Sequence, residues 1–135
     1  MPKDAGLAPA QYNEYATLAE VGIRSAANAF VDDEKLEREW QKLRFHAKPN
    51  FQEAVHESRR FRDLLGATGA TIIDLDANNK LTIDSIYTRD SILVGPEGLI
   101  LCNMGRASRT PEASENATAY RALGYQVAGQ ITAPG

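Results

Sequence analysis

Apolar and polar residues alternate along the chain with two different periods, which predict both helices and strands. The clearest helix is predicted from Asn50 to Leu65, because apolar positions return every three or four residues and Asn50 suits an N-cap. Its predicted inner stripe comprises Phe51, Ala54, Val55, Ser58, Phe61 and Leu65. Short runs rich in aliphatic and β-branched residues predict strands at 17–25, 70–75, 86–94, 98–104 and 125–132.

Two more helices are predicted from polar segments that carry apolar residues at helical spacing. The first lies between Asp32 and Arg44 and is a short amphipathic helix or a lid segment. The second begins at Thr110-Pro111-Glu112, with Thr110 as its cap, and ends at Gly124. Its predicted inner stripe comprises Ala113, Ala117, Tyr120 and Leu123.

The predicted order of elements is strand, helix, helix, strand, strand, strand, helix, strand, which is an α/β fold. Two units of about sixty residues share a strand–helix–strand rhythm without a sequence repeat. A turn at Gly95-Pro96-Glu97-Gly98 is predicted to join two of the strands. We predict a flexible N-terminal arm at residues 1–16 and a folded domain over residues 17–135.

The composition is that of a globular protein without a strong charge of either sign. Hydrophobic residues make up 43% of the 135, enough for a core, and the net charge of −3 excludes a basic surface for nucleic acid. No apolar run reaches the roughly 20 residues of a membrane span, and we expect neither a signal peptide nor membrane binding. Cys102 is the only cysteine, which excludes an intrachain disulfide and favours a cytoplasmic location.

Three charged residues, Asp84, Arg89 and Asp90, interrupt an otherwise apolar stretch. In an extended strand, alternation would place both aspartates on one side and Arg89 on the other. Two carboxylates beside a core are costly unless a cation meets them. That cation is either a buried arginine of this chain or a substrate guanidinium, whose planar donors match a carboxylate two at a time.

Arg109 follows Asp90 by nineteen residues and directly precedes a predicted helix start, a place suited to an anion such as a substrate carboxylate. Carboxylates at one end and Arg109 at the other would suit an arginine-like zwitterion. The alternative is that Arg89 pairs with Asp84 or Asp90, and that Arg109 pairs with Glu112. Charges near strand ends are commonly structural, so the residues alone favour this alternative.

The same stretch also resembles a known enzyme family. The segment is IDSIYTRDSILVGPEGLILCNMGRASRTPE, and it resembles the guanidino-group modifying superfamily, which has the pentein fold. That superfamily includes arginine deiminases, dimethylarginine dimethylaminohydrolases and amidinotransferases. The matching positions are Asp84-Ser85, Tyr87, Arg89-Asp90, Gly105, Arg109 and Glu112. The Tyr-Thr-Arg-Asp form resembles the deiminase-like branch more than the Glu-Asp form of the dimethylarginine hydrolases, and the resemblance covers residues 17–135.

By this resemblance, Asp90 would hold the substrate guanidinium and Arg109 the substrate carboxylate. Asp84 would contact the substrate or order its pocket, while Arg89 and Glu112 would have supporting roles. The family attacks the guanidinium carbon with a cysteine thiolate, helped by a histidine and by a carboxylate in a Glu-Gly-Gly-Asp-like segment. That segment would begin where this chain ends. The resemblance therefore implies the N-terminal two-fifths of a five-bladed α/β propeller, with no catalytic residue in this chain.

The chain's own cysteine and histidines are not expected to substitute. Cys102 belongs to a predicted buried strand, His46 to a charged segment, and His56 lies off the apolar stripe of its helix. No group of residues has metal-ligand spacing and no nucleotide-binding loop is present, so we expect neither a metal nor another cofactor.

Three functional hypotheses remain open. In the first, the chain is part of a C–N hydrolase that acts on arginine or a related small molecule. In the second, it is part of an amidinotransferase, in which an amine replaces water, and nothing in the chain separates these two. In the third, it is a stand-alone binding or oligomerisation domain that associates with itself through exposed strand edges.

Overall fold

The computed structural model of the chain describes residues 12–133, and the predicted α/β character is confirmed there. Residues 1–11 of the predicted arm at 1–16 lie outside the described residues. The strands are β1 (Glu20–Ile23), β2 (Thr71–Asp74), β3 (Ile92–Gly95), β4 (Gly98–Leu101) and β5 (Val127–Gln130). The helices are α1 (Ala26–Phe30), α2 (Asp33–Glu39), α3 (Phe51–Ala67) and α4 (Glu112–Ala122). Their order is the predicted one, except that the short helix α1 was not predicted.

Residues Leu18–Tyr87 form one compact unit, called here the first unit. Its strands β1 and β2 are parallel, with Glu20 opposite Thr71 and Ile23 opposite Asp74, and the three helices α1 to α3 connect them. Parallel neighbours need such a crossover, because a tight turn can only join antiparallel strands. The core of this unit comprises Ala26, Ala29, Phe30, Leu36, Leu43 and Ile83.

The helices of the first unit begin at polar side chains that satisfy their free N–H groups. Asn50 accepts a hydrogen bond from the Glu53 amide at 3.0 Å, which confirms the predicted cap of α3. Asp32 caps α2 in the same way, through the Lys35 amide at 2.8 Å. The predicted stripe of α3 is wrong at Phe61, which is exposed. The charged helix ends at Glu39 and not at Arg44.

The described residues 12–17 and 88–133 form the second unit, which contains a sheet in the order β3–β4–β5. Strands β3 and β4 are antiparallel and joined by the predicted turn, whereas β4 and β5 are parallel and connected through α4. The turn requires Gly98, because its φ is +133° and a Cβ there would lie 2.5 Å from the Gln126 carbonyl oxygen. The core comprises Ile92, Leu99, Leu101, Ala113 and Ala117.

The predicted strand at 86–94 is wrong in its first half. Two 3-10 turns, Ile83–Ile86 and Thr88–Ser91, occupy this stretch, and β3 begins only at Ile92. Short-range hydrogen bonds favour the turns: the Ser85 amide donates to the Thr82 carbonyl, and the Ser91 hydroxyl to the Thr88 carbonyl. The strand alternation assumed for Asp84 and Asp90 therefore does not apply.

Two predictions for α4 are also wrong. Thr110 does not cap the helix, because Pro111 occupies the N-cap position. Thr110 instead ends a third 3-10 turn, Ala107–Arg109. Leu123 is exposed and lies outside the inner stripe. Gly124 follows the helix with a φ of +96°, which a glycine adopts at little cost, so the predicted end is confirmed. Both sheets are open within residues 12–133, so a propeller arrangement stays a prediction.

Candidate functional site

Three of the predicted site residues, Asp90, Arg109 and Glu112, are in direct contact in the second unit. Arg109 donates two hydrogen bonds to Glu112, from Nε to Oε2 at 2.7 Å and from Nη2 to Oε1 at 2.8 Å. Its Nη1 donates to Asp90 Oδ2 at 2.7 Å. One guanidinium thus bridges two carboxylates, with the bidentate geometry on the Glu112 side.

Local structure explains why Arg109 and Glu112 meet. Arg109 is the last residue of the 3-10 turn Ala107–Arg109, and Glu112 is the first residue of α4, three positions later. Residues three apart face the same side of a helical segment, so the two side chains are neighbours. The carboxylate of Glu112 also lies in the first turn of α4, where the helix dipole favours a negative charge.

The bridge has a buried end and an exposed end. The Glu112 side chain is fully buried and that of Arg109 is only 11% exposed, whereas the Asp90 side chain is 53% exposed. Hydrogen bonding to Glu112 raises the pKa of Arg109 above its usual range, Asp90 adds to this effect, and burial partly opposes it. Arg109 therefore remains a cation at every pH at which the protein folds. Asp90 is the member of the group that solvent and a ligand can reach.

The turn that carries Asp90 is held by a second pair of buried polar residues. Asn116 donates from Nδ2 to Ser91 Oγ at 3.0 Å, and Ser91 Oγ donates to the Thr88 carbonyl at 3.1 Å. Both Ser91 and Asn116 are fully buried. Asn116 lies one helical turn after Glu112, so one face of α4 holds both Arg109 and the turn Thr88–Ser91.

Ser91 and Asn116 were not among the site residues predicted from the sequence. A signal for Asn116 was present, since it lies three residues after Ala113 and next to Ala117, on the predicted apolar stripe of α4. A polar residue on a buried stripe needs a hydrogen-bond partner, and this requirement marks such positions for attention. The partner itself carries no sequence signal, because Ser91 is separated from Asn116 by twenty-five positions.

Asp84 belongs to the first unit and is 4% exposed. It lies in the 3-10 turn Ile83–Ile86, after which the Tyr87 amide donates a hydrogen bond to the Asp84 carbonyl at 3.0 Å. Arg89 belongs to the second unit, and its exposed guanidinium forms an ion pair with the exposed carboxylate of Glu14. The predicted pairing of Arg109 with Glu112 is therefore confirmed. The predicted pairing of Arg89 with Asp84 or Asp90 is wrong, because Arg89 pairs with Glu14 and Asp90 with Arg109.

Cys102 directly follows β4 and is half-buried, with Sγ 3.9 Å from the Ile100 carbonyl oxygen. It therefore lies just beyond the strand in which it was predicted. His46 and His56 are both exposed and belong to the first unit. Of the helices in residues 12–133, none is long and apolar enough to cross a lipid bilayer.

No protein-family model matches the sequence, and none of the curated proteins matches it. Solved structures match the fold. A dimethylarginine dimethylaminohydrolase adduct with 4-chloro-2-hydroxymethylpyridine has a TM-score of 0.63 and 23% identity over 87% of this chain. A Pseudomonas aeruginosa dimethylarginine dimethylaminohydrolase with a cysteine-to-serine substitution, complexed with citrulline, has a TM-score of 0.65 and 22% identity over 88%. A histidine-to-glycine variant of a dimethylarginine dimethylaminohydrolase, an adduct with S-methyl-L-thiocitrulline, has a TM-score of 0.64 and 21% identity over 87%.

This chain spans 42%, 44% and 43% of the length of those three structures. Its fold is similar to that of part of these dimethylarginine dimethylaminohydrolase structures. The resemblance to the guanidino-group modifying superfamily is thus confirmed for the fold.

Proposed function

We propose that this chain supplies the guanidine-recognition part of a hydrolase that cleaves a C–N bond of an arginine-type guanidinium. The observation that carries the proposal is the half-exposed carboxylate of Asp90, held at 2.7 Å by a largely buried arginine. It occurs on a fold similar to that of enzymes solved with citrulline and S-methyl-L-thiocitrulline. A positioned, accessible carboxylate is the group that binds a planar guanidinium most selectively.

Asp90 and Arg109, which the sequence assigns to opposite ends of a substrate, contact each other in the structure. We therefore propose that binding exchanges ion pairs. The substrate guanidinium takes the carboxylate of Asp90, and the substrate carboxylate takes Nη1 of Arg109. One ion pair is broken and two are formed, so an arginine-like amino acid binds without leaving Asp90 or Arg109 unpaired. Glu112 keeps its two hydrogen bonds and holds Arg109 in place during the exchange.

The remaining predicted residues have supporting roles in this proposal. Asp84 belongs to the first unit and is buried, so its role as a substrate contact or as a residue that orders the pocket rests on the resemblance alone. Arg89 is a supporting residue through its ion pair with Glu14. Association between copies through a strand edge stays a prediction; the outer strand β3 carries two exposed apolar side chains, Leu93 and Val94.

We propose further that the 135-residue chain does not turn over its ligand. The hydrolytic reaction of the family requires a reactive thiolate, and thiols become reactive in exposed, electropositive surroundings. The Cys102 thiol is half-buried and points to a backbone carbonyl, which supports a structural role. Among the described residues, His46 and His56 are exposed in the first unit, whereas Cys102 belongs to the second unit.

Calorimetric titration of the chain with L-arginine, dimethylarginine and L-citrulline tests the proposal. We expect the two cations to bind with a dissociation constant of about 1 mM and citrulline about tenfold more weakly, because its neutral ureido group cannot pair with Asp90. Asp90→Asn is expected to remove the preference for the cations. Glu97→Gln, which neutralises an exposed carboxylate at the β3–β4 turn, is the matched control and should bind like the wild type.

A folded chain that produces no heat with any of the three ligands would contradict guanidine recognition and leave the binding or oligomerisation hypothesis. Citrulline release from arginine, measured on the same samples, tests the absence of turnover. Release that disappears in Cys102→Ala would show that this thiol is the nucleophile.

A further inference from the structure

Ser91, the residue that follows Asp90, is fixed from three directions within the second unit. Its hydroxyl accepts a hydrogen bond from Asn116 Nδ2 on α4 at 3.0 Å and donates one to the Thr88 carbonyl at 3.1 Å. Its own carbonyl accepts a hydrogen bond from the Cys102 amide, directly after β4, at 2.9 Å. Ser91 is fully buried, with an exposed fraction of 0%. The backbone next to Asp90 is therefore tied to a helix and to a strand.

The side chain of Asp90, in contrast, has little support of its own. Within residues 12–133, its carboxylate forms a hydrogen bond only with Arg109, whose Nη1 donates to Oδ2 at 2.7 Å. Under the proposed exchange of ion pairs, Arg109 releases this carboxylate when the ligand binds. From then on, the position of Asp90 depends on the backbone of its turn, and hence on the anchoring of Ser91.

The hydrogen bond from Asn116 provides a connection that neither α4 nor the turn requires by itself. Asn116 lies on the buried stripe of α4 beside Ala113 and Ala117, where an aliphatic side chain would need no hydrogen-bond partner. The Ser91 hydroxyl already has an acceptor within its own turn, the Thr88 carbonyl. The hydrogen bond from Asn116 therefore adds a fixed link between the turn and the helix.

That link makes one helix responsible for both charges of the site. Glu112, four positions before Asn116, holds Arg109 through two hydrogen bonds. Residues four apart share a helix face, so α4 fixes the guanidinium through Glu112 and the turn of Asp90 through Asn116. The separation between the anion and the cation of the site is thus set by two side chains of a single helix.

We infer that Asn116 and Ser91 are positioning residues for Asp90, and that they keep its carboxylate in place for the guanidinium of the ligand. The inference rests on the proposed function, because it takes Asp90 as the carboxylate that binds the guanidinium. Asn116 and Ser91 are both buried and do not touch the ligand. They act on it through the backbone of Asp90.

The affinity ratio between L-arginine and L-citrulline tests the inference, because only the cationic ligand pairs with Asp90. Asn116→Ala is expected to lower this ratio from about tenfold to about twofold, by weakening arginine binding and leaving citrulline binding unchanged. NMR titration of the folded chain measures both affinities. A general loosening of the fold would weaken the binding of both ligands equally. A ratio that stays at the wild-type value would overturn the inference.

Ser91→Ala gives a second test, because it removes a single oxygen atom and changes the packing little. It should lower the affinity ratio at least as much as Asn116→Ala. In the double variant Ser91→Ala/Asn116→Ala the ratio should fall no further than in Ser91→Ala, since both changes break the same hydrogen bond. Losses that add up would show that the two residues act independently, and would contradict the link between turn and helix.

The matched control is Thr118→Ala, two positions after Asn116. Thr118 is exposed, and its hydroxyl donates to the Ser114 carbonyl at 3.0 Å within the same helix. This variant should keep the wild-type affinity ratio. A ratio lowered as far as in Asn116→Ala would show that any lost side-chain hydrogen bond on α4 has the effect, and would overturn the inference.

Amide hydrogen exchange separates this inference from the proposed function, because it needs no ligand. In Asn116→Ala, the Cys102 amide, which donates to the Ser91 carbonyl, should exchange about tenfold faster. The Ile131 amide, which donates to the Leu101 carbonyl at 2.8 Å in the same sheet, should stay unchanged. Equal acceleration at both amides, or none at Cys102, would make Asn116 a general stabiliser and overturn the inference. Selective acceleration in a chain that binds no arginine would support the hold of Asn116 on the turn and contradict only the proposed function.

Discussion

Two short turns that are almost adjacent in the chain hold their aspartates in opposite ways. The turns Ile83–Ile86 and Thr88–Ser91 are separated by Tyr87 alone, yet they belong to different compact units. Asp84 in the first turn is 4% exposed, whereas the Asp90 side chain in the second is 53% exposed. The same local conformation therefore produces one buried and one accessible carboxylate.

The difference lies in what the neighbouring charges bind. Around the first turn, Glu39 and Arg24 bind main-chain atoms and fix the position of the backbone. In the second turn, Arg109 binds the carboxylate of Asp90 itself, while Asn116 reaches the backbone through Ser91. Under the proposed exchange, the carboxylate of Asp90 must be reachable, and Arg109 must be held by another residue. The hydrogen bonds from Arg109 to Glu112 meet that requirement.

The largest expected effect comes from breaking the buried end of the bridge. Glu112→Gln leaves the largely buried Arg109 without its bidentate carboxylate, and we expect a loss of about 3 kcal/mol in the free energy of unfolding. Urea denaturation at neutral pH measures it, with Glu97→Gln as the exposed control. A loss below about 1 kcal/mol would show that the Arg109–Glu112 pair is no stronger than a surface ion pair. The buried and exposed ends of the bridge would then not differ in their contribution to stability.

Exchanging each aspartate for asparagine compares the two turns directly. Asp84→Asn changes a buried charged group and should lower the unfolding free energy by about 2 kcal/mol. Asp90→Asn removes a half-exposed ion pair and should lower it by less than about 1 kcal/mol. The two variants are isosteric with the wild type, so packing changes little. Equal losses would mean that exposure does not separate the roles of the two carboxylates.

The smallest effect is expected at an exposed pair outside both turns, which provides a reference for them. Arg62 binds Asp74 through two hydrogen bonds of 3.0 and 2.6 Å. These hydrogen bonds lower the pKa of Asp74, and the slight burial of the carboxyl partly opposes the shift. A carboxyl with a lowered pKa in the folded state contributes stability above its unfolded pKa, about 3.9. That contribution is lost as the pH falls through the folded pKa.

The difference in urea midpoint between wild type and Asp74→Asn should therefore be small at neutral pH and vanish in acid. Added salt should reduce it, because exposed pairs are screened. The difference caused by Glu112→Gln should persist in salt, since that pair is buried. A difference at Asp74 that grows as the pH falls would contradict the sign of its pKa shift.

Local patterns were sufficient for most elements and for part of the site. The period of apolar residues and the cap at Asn50 predicted α3. The glycines predicted the β3–β4 turn and the end of α4. The order of the predicted helices and strands indicated an α/β fold. The pair of Arg109 and Glu112 was one of the alternatives that the sequence left open, and three positions separate the two residues. Each of these features depends on residues that are close in the chain, where spacing alone sets which side chains meet.

Only the tertiary structure decided that residues 83–91 form two turns and which charges hold them. Glu39 and Arg24 reach the turn of Asp84 across 44 and 61 positions, and Asn116 reaches Ser91 across 25. Such contacts leave no periodic pattern, because the separation along the chain is set by the whole crossover and not by a helix or strand repeat. For the same reason, composition and spacing indicated no difference between the carboxylates of Asp84 and Asp90. Burial is a property of the folded core, and it leaves Asp84 enclosed and Asp90 accessible.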